Sequence, residues 1–109
     1  MDRIAKIKEL LDEKKAMDIM DYDLKNTDYF VDSVVVATTM ADKHAKALLD
    51  HLKKNLKPLG EEFLGIDESD DWTVIDLGDI LIHLMSEEYR AKYQMDEFLK
   101  EIKQKLRNN

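Results

Sequence analysis

The 109-residue chain contains no cysteine, which removes disulfides, thiol catalysis, Cys-ligated zinc and iron–sulfur chemistry at once. One proline and three glycines exclude collagen-like and linker architectures, and 38% charged residues interspersed with 44% apolar ones do not describe a disordered tail. No run of about 18 apolar residues is present, so nothing reads as a membrane span. The first residues, Met1-Asp2-Arg3-Ile4-Ala5-Lys6, mix both charge signs at helical spacing and set no basic tip before an apolar stretch. A secretory signal is therefore not expected, and a cytoplasmic location is. What remains has the size of one domain, 1–109, able to bury roughly two-thirds of the surface its unfolded form exposes.

Basic residues are missing from one long stretch. Between Lys57 and Arg90 there is no Lys or Arg, while ten acids fall there: Glu61, Glu62, Asp67, Glu68, Asp70, Asp71, Asp76, Asp79, Glu87 and Glu88. This segment alone sets the sign of the net charge of −7. Acidic surface repels bare phosphate backbones and attracts basic partners, over a range that salt limits to about 10 Å at 0.1 M. Direct, sequence-specific nucleic-acid binding is not expected. A plainer reading, acids that merely solvate a loop, stands beside the partner-binding one.

Ile4, Ile7, Leu10 and Leu11 recur at helical spacing and predict a helix over 2–15. Residues 16–24 read as a strand and Lys25-Asn26-Thr27-Asp28 as a turn. Ser33-Val34-Val35-Val36-Ala37-Thr38 is apolar on both faces, as suits a central, doubly covered strand. Ala41, Ala45, Leu48, Leu49, Leu52 and Leu56 place a helix over 41–56, ended by Pro58 and Gly60. The segment 61–71 reads as loop with a short strand near Phe63–Ile66. Two apolar runs, 72–77 and 80–85, flank Gly78-Asp79 and signal a hairpin. Ser86 can cap a short helix opened by Glu87 and Glu88 and carrying Tyr89 and Tyr93. Met95, Phe98, Leu99, Ile102 and Leu106 mark a last amphipathic helix, with Lys100, Lys103, Lys105 and Arg107 toward its negative end. The order α-β-β-α-(β)-β-β-α-α predicts an α/β domain, a mixed sheet flanked by helices on both faces.

Asp21 and Asp23, two apart on a strand, share a face and are candidate ligands for Mg²⁺, with Asp76 and Asp79 as further members of such a cluster. That would suit a metal-dependent nucleotidyl-transfer enzyme, yet the Thr38-Thr39-Met40-Ala41-Asp42-Lys43 connection has no glycine to cradle phosphate. His44 and His51 lie seven apart and His83 sits in an apolar strand; a zinc site requires all three to converge, whereas a hydrogen-bonded structural role needs only local partners. His44, near a helix start, is the candidate for a surface role. No nucleophile elbow, phosphate loop or dinucleotide fingerprint occurs. Trp72, the single tryptophan, emerges from a run of acids at a strand start. It reads either as a binding hot spot or as a core plug.

Leu11-Asp12-Glu13-Lys14-Lys15-Ala16-Met17-Asp18-Ile19, then Val34-Val35-Val36-Ala37-Thr38 running into Lys43-His44, then the block from Trp72 to Met85 with Glu88, Arg90 and Tyr93 after it, resemble the ribosomal silencing factor family, also called Iojap-like. The likeness runs from about Ile4 to Phe98, and the hairpin block is its specific part. The resemblance implies an α/β fold similar to nucleotidyltransferase-like folds, without catalysis and without a cofactor. It implies binding to large-subunit ribosomal protein number fourteen at the face that meets the small subunit, blocking subunit joining and repressing translation when nutrients are scarce. The family's partner-contacting tryptophan and leucine match Trp72 and Leu77. Asp76, Gly78, Asp79, His83 and Arg90 fall on matching positions with structural or unassigned roles. The chain departs from the family where a Gly-containing Thr-Gly-x-Ser stretch before an Arg-His pair is replaced by Thr38 to His44, and where Glu61-Glu62-Phe63-Leu64-Gly65 stands in place of a Glu-Gly pair.

Trp72 and Leu77 are separated by an odd number of residues, so a regular strand points them to opposite faces. A shared contact requires Leu77 to leave the strand at the turn, or a bulge to reset the alternation. The apolar hairpin edge is also a candidate for pairing in a homodimer.

Overall fold

A computed structural model of the chain describes residues 2–104. Its elements are helix α1 (Arg3–Glu13), strands β1 (Met17–Asp23) and β2 (Ser33–Thr39), helix α2 (Asp42–Leu56), a 3₁₀ turn (Lys57–Leu59), strands β3 (Gly65–Glu68), β4 (Trp72–Asp76) and β5 (Ile80–Ser86), and helices α3 (Glu87–Lys92) and α4 (Met95–Gln104). The order is the expected one. Lys105, Leu106 and Arg107 lie outside the described residues, so the last helix is described only to Gln104.

The five strands run β1-β2-β5-β4-β3 across one sheet. β2 and β5 pair in parallel at its centre, and every other pairing is antiparallel. The central pair explains the composition of these strands: both are buried along nearly their whole length, which β-branched and aliphatic residues on both faces permit. On one face α1 and α2 contribute Ile7, Leu10, Leu11, Leu48, Leu49, Leu52 and Leu56, packed on Val35, Ala37, Ile75, Ile82 and Leu84. On the other, Met95 and Leu99 of α4 join Tyr22, Val34, Val36, Leu81 and Met85. Helices thus cover both faces, as the interleaved order required.

The element ends follow local chemistry. The Asp2 carboxylate accepts from the Ala5 amide and caps α1, and the Ser86 hydroxyl accepts from the Tyr89 amide and caps α3. Pro58 sits in the 3₁₀ turn that closes α2, and Gly60 terminates it at φ +97°. The connection from β2 to α2 needs no glycine, because none of Thr38 to His44 adopts a positive φ. The His44 ring caps it: Nδ1 accepts from the Met40 amide at 3.0 Å, and Nε2 donates to the Lys14 carbonyl at 2.7 Å, tying the end of α1 to the start of α2. His44, partly exposed, thus ties two helices together within the chain.

Two further expectations shift. The short strand expected near Phe63–Ile66 is Gly65–Glu68, because Phe63 turns inward against the first core and pairing with β4 begins at Gly65 opposite Asp76. The hairpin offers no free edge: β3 pairs with β4 and β2 with β5, so the open edges of the sheet are β1 and β3. Dimerisation through the hairpin's own edge is closed by that pairing.

Candidate interaction surface

Along β4 burial alternates: Thr73 and Ile75 are buried against the α1–α2 layer, while Trp72, Val74 and Asp76 on the opposite face are half-exposed. On that face α4 packs on β1 and α3 on β2 and β5. The Trp72 row therefore lies at the margin of the helical cover.

The antiparallel register sets Trp72 opposite Met85 and Val74 opposite His83, and both rows face the same way. Trp72 and His83 become diagonal neighbours. The indole Nε1–H donates to His83 Nδ1 at 2.9 Å, with ring centroids 5.7 Å apart. This bond requires a neutral imidazole carrying its proton on Nε2. Burial pushes the His83 pKa down to about 4, so the acceptor form holds at neutral pH. Trp72 is thus core plug and surface residue together: it is bonded to His83 and packed on the second core, and only part of the indole reaches solvent.

From Trp72 the aromatic surface continues into α3. Tyr93 lies 5.4 Å from Trp72 and 5.6 Å from Tyr89 by ring centroids, and the Lys92 ammonium stands 5.5 and 5.6 Å over the two tyrosine rings. Tyr93 is 50% exposed. The Ser86 amide donates to the Asp71 carbonyl at 3.0 Å, which brings the acids before Trp72 beside those that open α3.

Leu77 lies elsewhere. β4 ends at Asp76, and the Leu77 amide donates to the Ile80 carbonyl across the turn at 2.9 Å. The alternation is not reset, so its side chain drops into the α1–α2 core beside Ile75, Ile80 and Ile82, 6% exposed. Trp72 and Leu77 do not share a face.

Arg90, whose role in the sequence is structural or unassigned, is buried and joins four elements. Its Nε and Nη2 donate to the two Asp96 carboxylate oxygens at 2.8 and 3.0 Å, and Nη1 donates to the Asp18 carbonyl at 2.7 Å and to Thr38 Oγ1 at 2.9 Å. The Tyr22 hydroxyl donates to the same carboxylate. Asp18 takes φ +48° where the β1–β2 register slips between Met17 and Met20. Arg90 thus braces a bulge in β1 from α3, and holds Asp96 of α4 below the usual carboxylate range. No spacing rule exposes this clasp, because Arg90 and Asp96 lie six apart on two different helices.

The remaining candidates are dispersed. Asp21 pairs with Lys8 Nζ at 2.7 Å, and Asp23 accepts from the Lys25 amide. Asp76 accepts from the Gly78 amide, and Asp79 pairs with Arg3, which also grips Glu61. His51 pairs with Glu13. Among the described residues no group of three His, Asp or Glu side chains gathers to hold a metal ion. The Asp21–Asp23–Asp76–Asp79 cluster and the three-histidine site do not form, because each member is already engaged with a separate partner. Nor is any described helix long and apolar enough to cross a membrane.

Residues 1–108 match the family model described as "Ribosomal silencing factor during starvation". The chain is 30% identical over 90 residues to "Ribosomal silencing factor RsfS" of Haemophilus influenzae, covering 81% of this chain and 88% of that one. It is 30% identical over 96 residues to the mouse "Mitochondrial assembly of ribosomal large subunit protein 1", covering 80% of this chain and 40% of that one. A crystal structure of a Chromobacterium violaceum protein superposes with a TM-score of 0.83 at 28% identity, over 92% of this chain and 88% of that one. These matches cover the described sheet, both helical layers and the aromatic surface, and they make the chain a member of the ribosomal silencing factor family.

Proposed function

We propose that the chain is a non-enzymatic steric inhibitor. It binds the large ribosomal subunit through ribosomal protein number fourteen, occupies volume that the small subunit needs, and so represses translation under nutrient limitation. The observation that carries this reading is Trp72: a large aromatic, partly buried at the sheet margin, held by a defined hydrogen bond and bordered by acids that complement a basic partner. Hot spots of this kind typically lose about 2 kcal/mol or more on truncation. Leu77, the second contact implied by the family resemblance, contributes in this reading by anchoring the hairpin turn from beneath, which fixes where β4 presents Trp72. Acidic surface around a hydrophobic contact tunes orientation and association rate more than affinity.

The test is cosedimentation of wild-type and Trp72→Ala protein with purified large subunits, alongside a subunit-joining assay. Wild-type protein is expected to bind and to block joining, and a folded Trp72→Ala variant to bind at least about tenfold more weakly. Variant binding within twofold of wild type contradicts the contact assignment. The name of the mouse relative motivates a second reading, action during large-subunit assembly. Loss of the protein would then change precursor particles and leave joining of mature subunits untouched.

A further inference from the structure

Trp72 does not stand alone at the sheet margin, and its pose is imposed from behind. Tyr93, at the C-cap of α3, carries half its surface in solvent and lies 5.4 Å from the indole; Lys92 covers the outer side of the Tyr89–Tyr93 pair. Asp70 and Asp71 lead into the indole on one side and Glu87 and Glu88 open α3 on the other, the two joined by the Ser86–Asp71 backbone bond. An aromatic ledge whose rim carries four acids against the one cation of Lys92 fits an apolar side chain projecting from a protein surface whose own rim is basic. Behind the ledge, the buried His83 accepts the hydrogen bond of the indole's one N–H, so the acceptor nitrogen decides which edge of Trp72 faces out.

We propose that the contact surface is a two-ring ledge of Trp72 and Tyr93, and that His83 is a positioning residue that holds Trp72 in line with Tyr93. The inference rests on the ribosome-binding reading above.

The test uses large-subunit binding by four variants, with fluorescence of the single tryptophan as a direct report on the indole. Tyr93→Ala, at a half-exposed position, is expected to stay folded and bind about fivefold or more weakly, whereas Tyr93→Phe keeps the ring and binds as wild type. At His83, His83→Asn returns an acceptor oxygen near the Nδ1 position, and His83→Phe keeps a ring without an acceptor. His83→Asn is expected to retain binding and low indole mobility, measured as fluorescence anisotropy. His83→Phe is expected to lose binding and to free the indole. A purely packing role for His83 gives the reverse order and overturns the positioning claim. Tyr93→Ala binding as wild type, while Trp72→Ala fails, overturns the ledge and leaves the ribosome reading standing. Absence of binding by the wild-type protein overturns both.

Discussion

His83 resists protonation because the same burial that orients Trp72 leaves no water to solvate an imidazolium. Its value of about 4 in the folded chain lies below the 6.5 of a free histidine, so between those pH values the unfolded chain binds the proton and the folded chain does not. Stability therefore falls as pH drops through that window. Between pH 7.5 and 5 the loss from this one group is on the order of 2 kcal/mol, readable as a shift in urea midpoint, and His83→Asn is expected to flatten the slope. An unchanged slope in His83→Asn would show that another group carries it. The Trp72–His83 pairing was legible in principle. A two-residue hairpin turn fixes the register, register places residues 72, 74, 83 and 85 on one face, and the odd Trp72–Leu77 separation sends Leu77 to the other. The degree to which α3 shelters that face depends on helix docking, which no local pattern encodes.

At the scale of elements, a cross-tie between four of them is the Arg90 clasp, which fastens α3 and α4 to the bulged start of β1 and to the end of β2. Removing the guanidinium leaves the Thr38 hydroxyl and the Asp18 carbonyl without it and the part-buried Asp96 carboxylate with Tyr22 alone, and losing charge-assisted hydrogen bonds of this kind costs about 2 kcal/mol. Arg90→Met is expected to lower thermal stability by that order. The Arg90→Met/Asp96→Leu double variant is expected to recover part of the loss, since neither buried charge is then orphaned. Equal losses in single and double variants would remove the clasp's coupling. Because Asp96 is held below its usual range chiefly by the hydrogen bond from Arg90, its contribution is present above the ordinary carboxylate pKa and fades in more acid solution. Helices α1 and α2, the hairpin and the Ser86 cap were readable from periodicity and capping residues. β3 was displaced in the reading because Phe63 carries an apolar signal that serves the core and not the strand.

For the whole molecule, the sequence separates charge as clearly as it separates polar from apolar. Of the acids between Lys57 and Arg90, Glu68, Asp70, Asp71, Glu87 and Glu88 fall at the end of the sheet that presents Trp72, whereas Asp76 and Asp79 lie at the hairpin turn at the other end of β4, where Arg3 pairs with Asp79 and Glu61. If the Trp72 end meets a basic-rimmed partner, raising salt from 0.1 to 1 M, which shortens the screening length from about 10 to 3 Å, is expected to slow association by about tenfold. Dissociation is expected to change little, a split that surface-plasmon kinetics with immobilised large subunits resolves. Salt acting mainly on dissociation would place the charges inside the contact. The α/β class and helices on both faces followed from the order of elements. The strand order did not, because only long-range packing chooses β5 as the neighbour of β2.

That choice shapes how the chain is made. Residues 33–39 can complete the centre of the sheet only with residues 80–86 alongside, so during synthesis β2 waits, apolar on both faces, until β5 has emerged. Loop closure over that distance must precede the contacts that reward it. Nascent chains arrested before β5 thus leave α1 and α2 on a floor of β1 and β2 that lacks Ile80, Ile82 and Leu84. The centre of the sheet in this member of the ribosomal silencing factor family therefore cannot close until residues 80–86 have joined residues 33–39, far behind them in the chain.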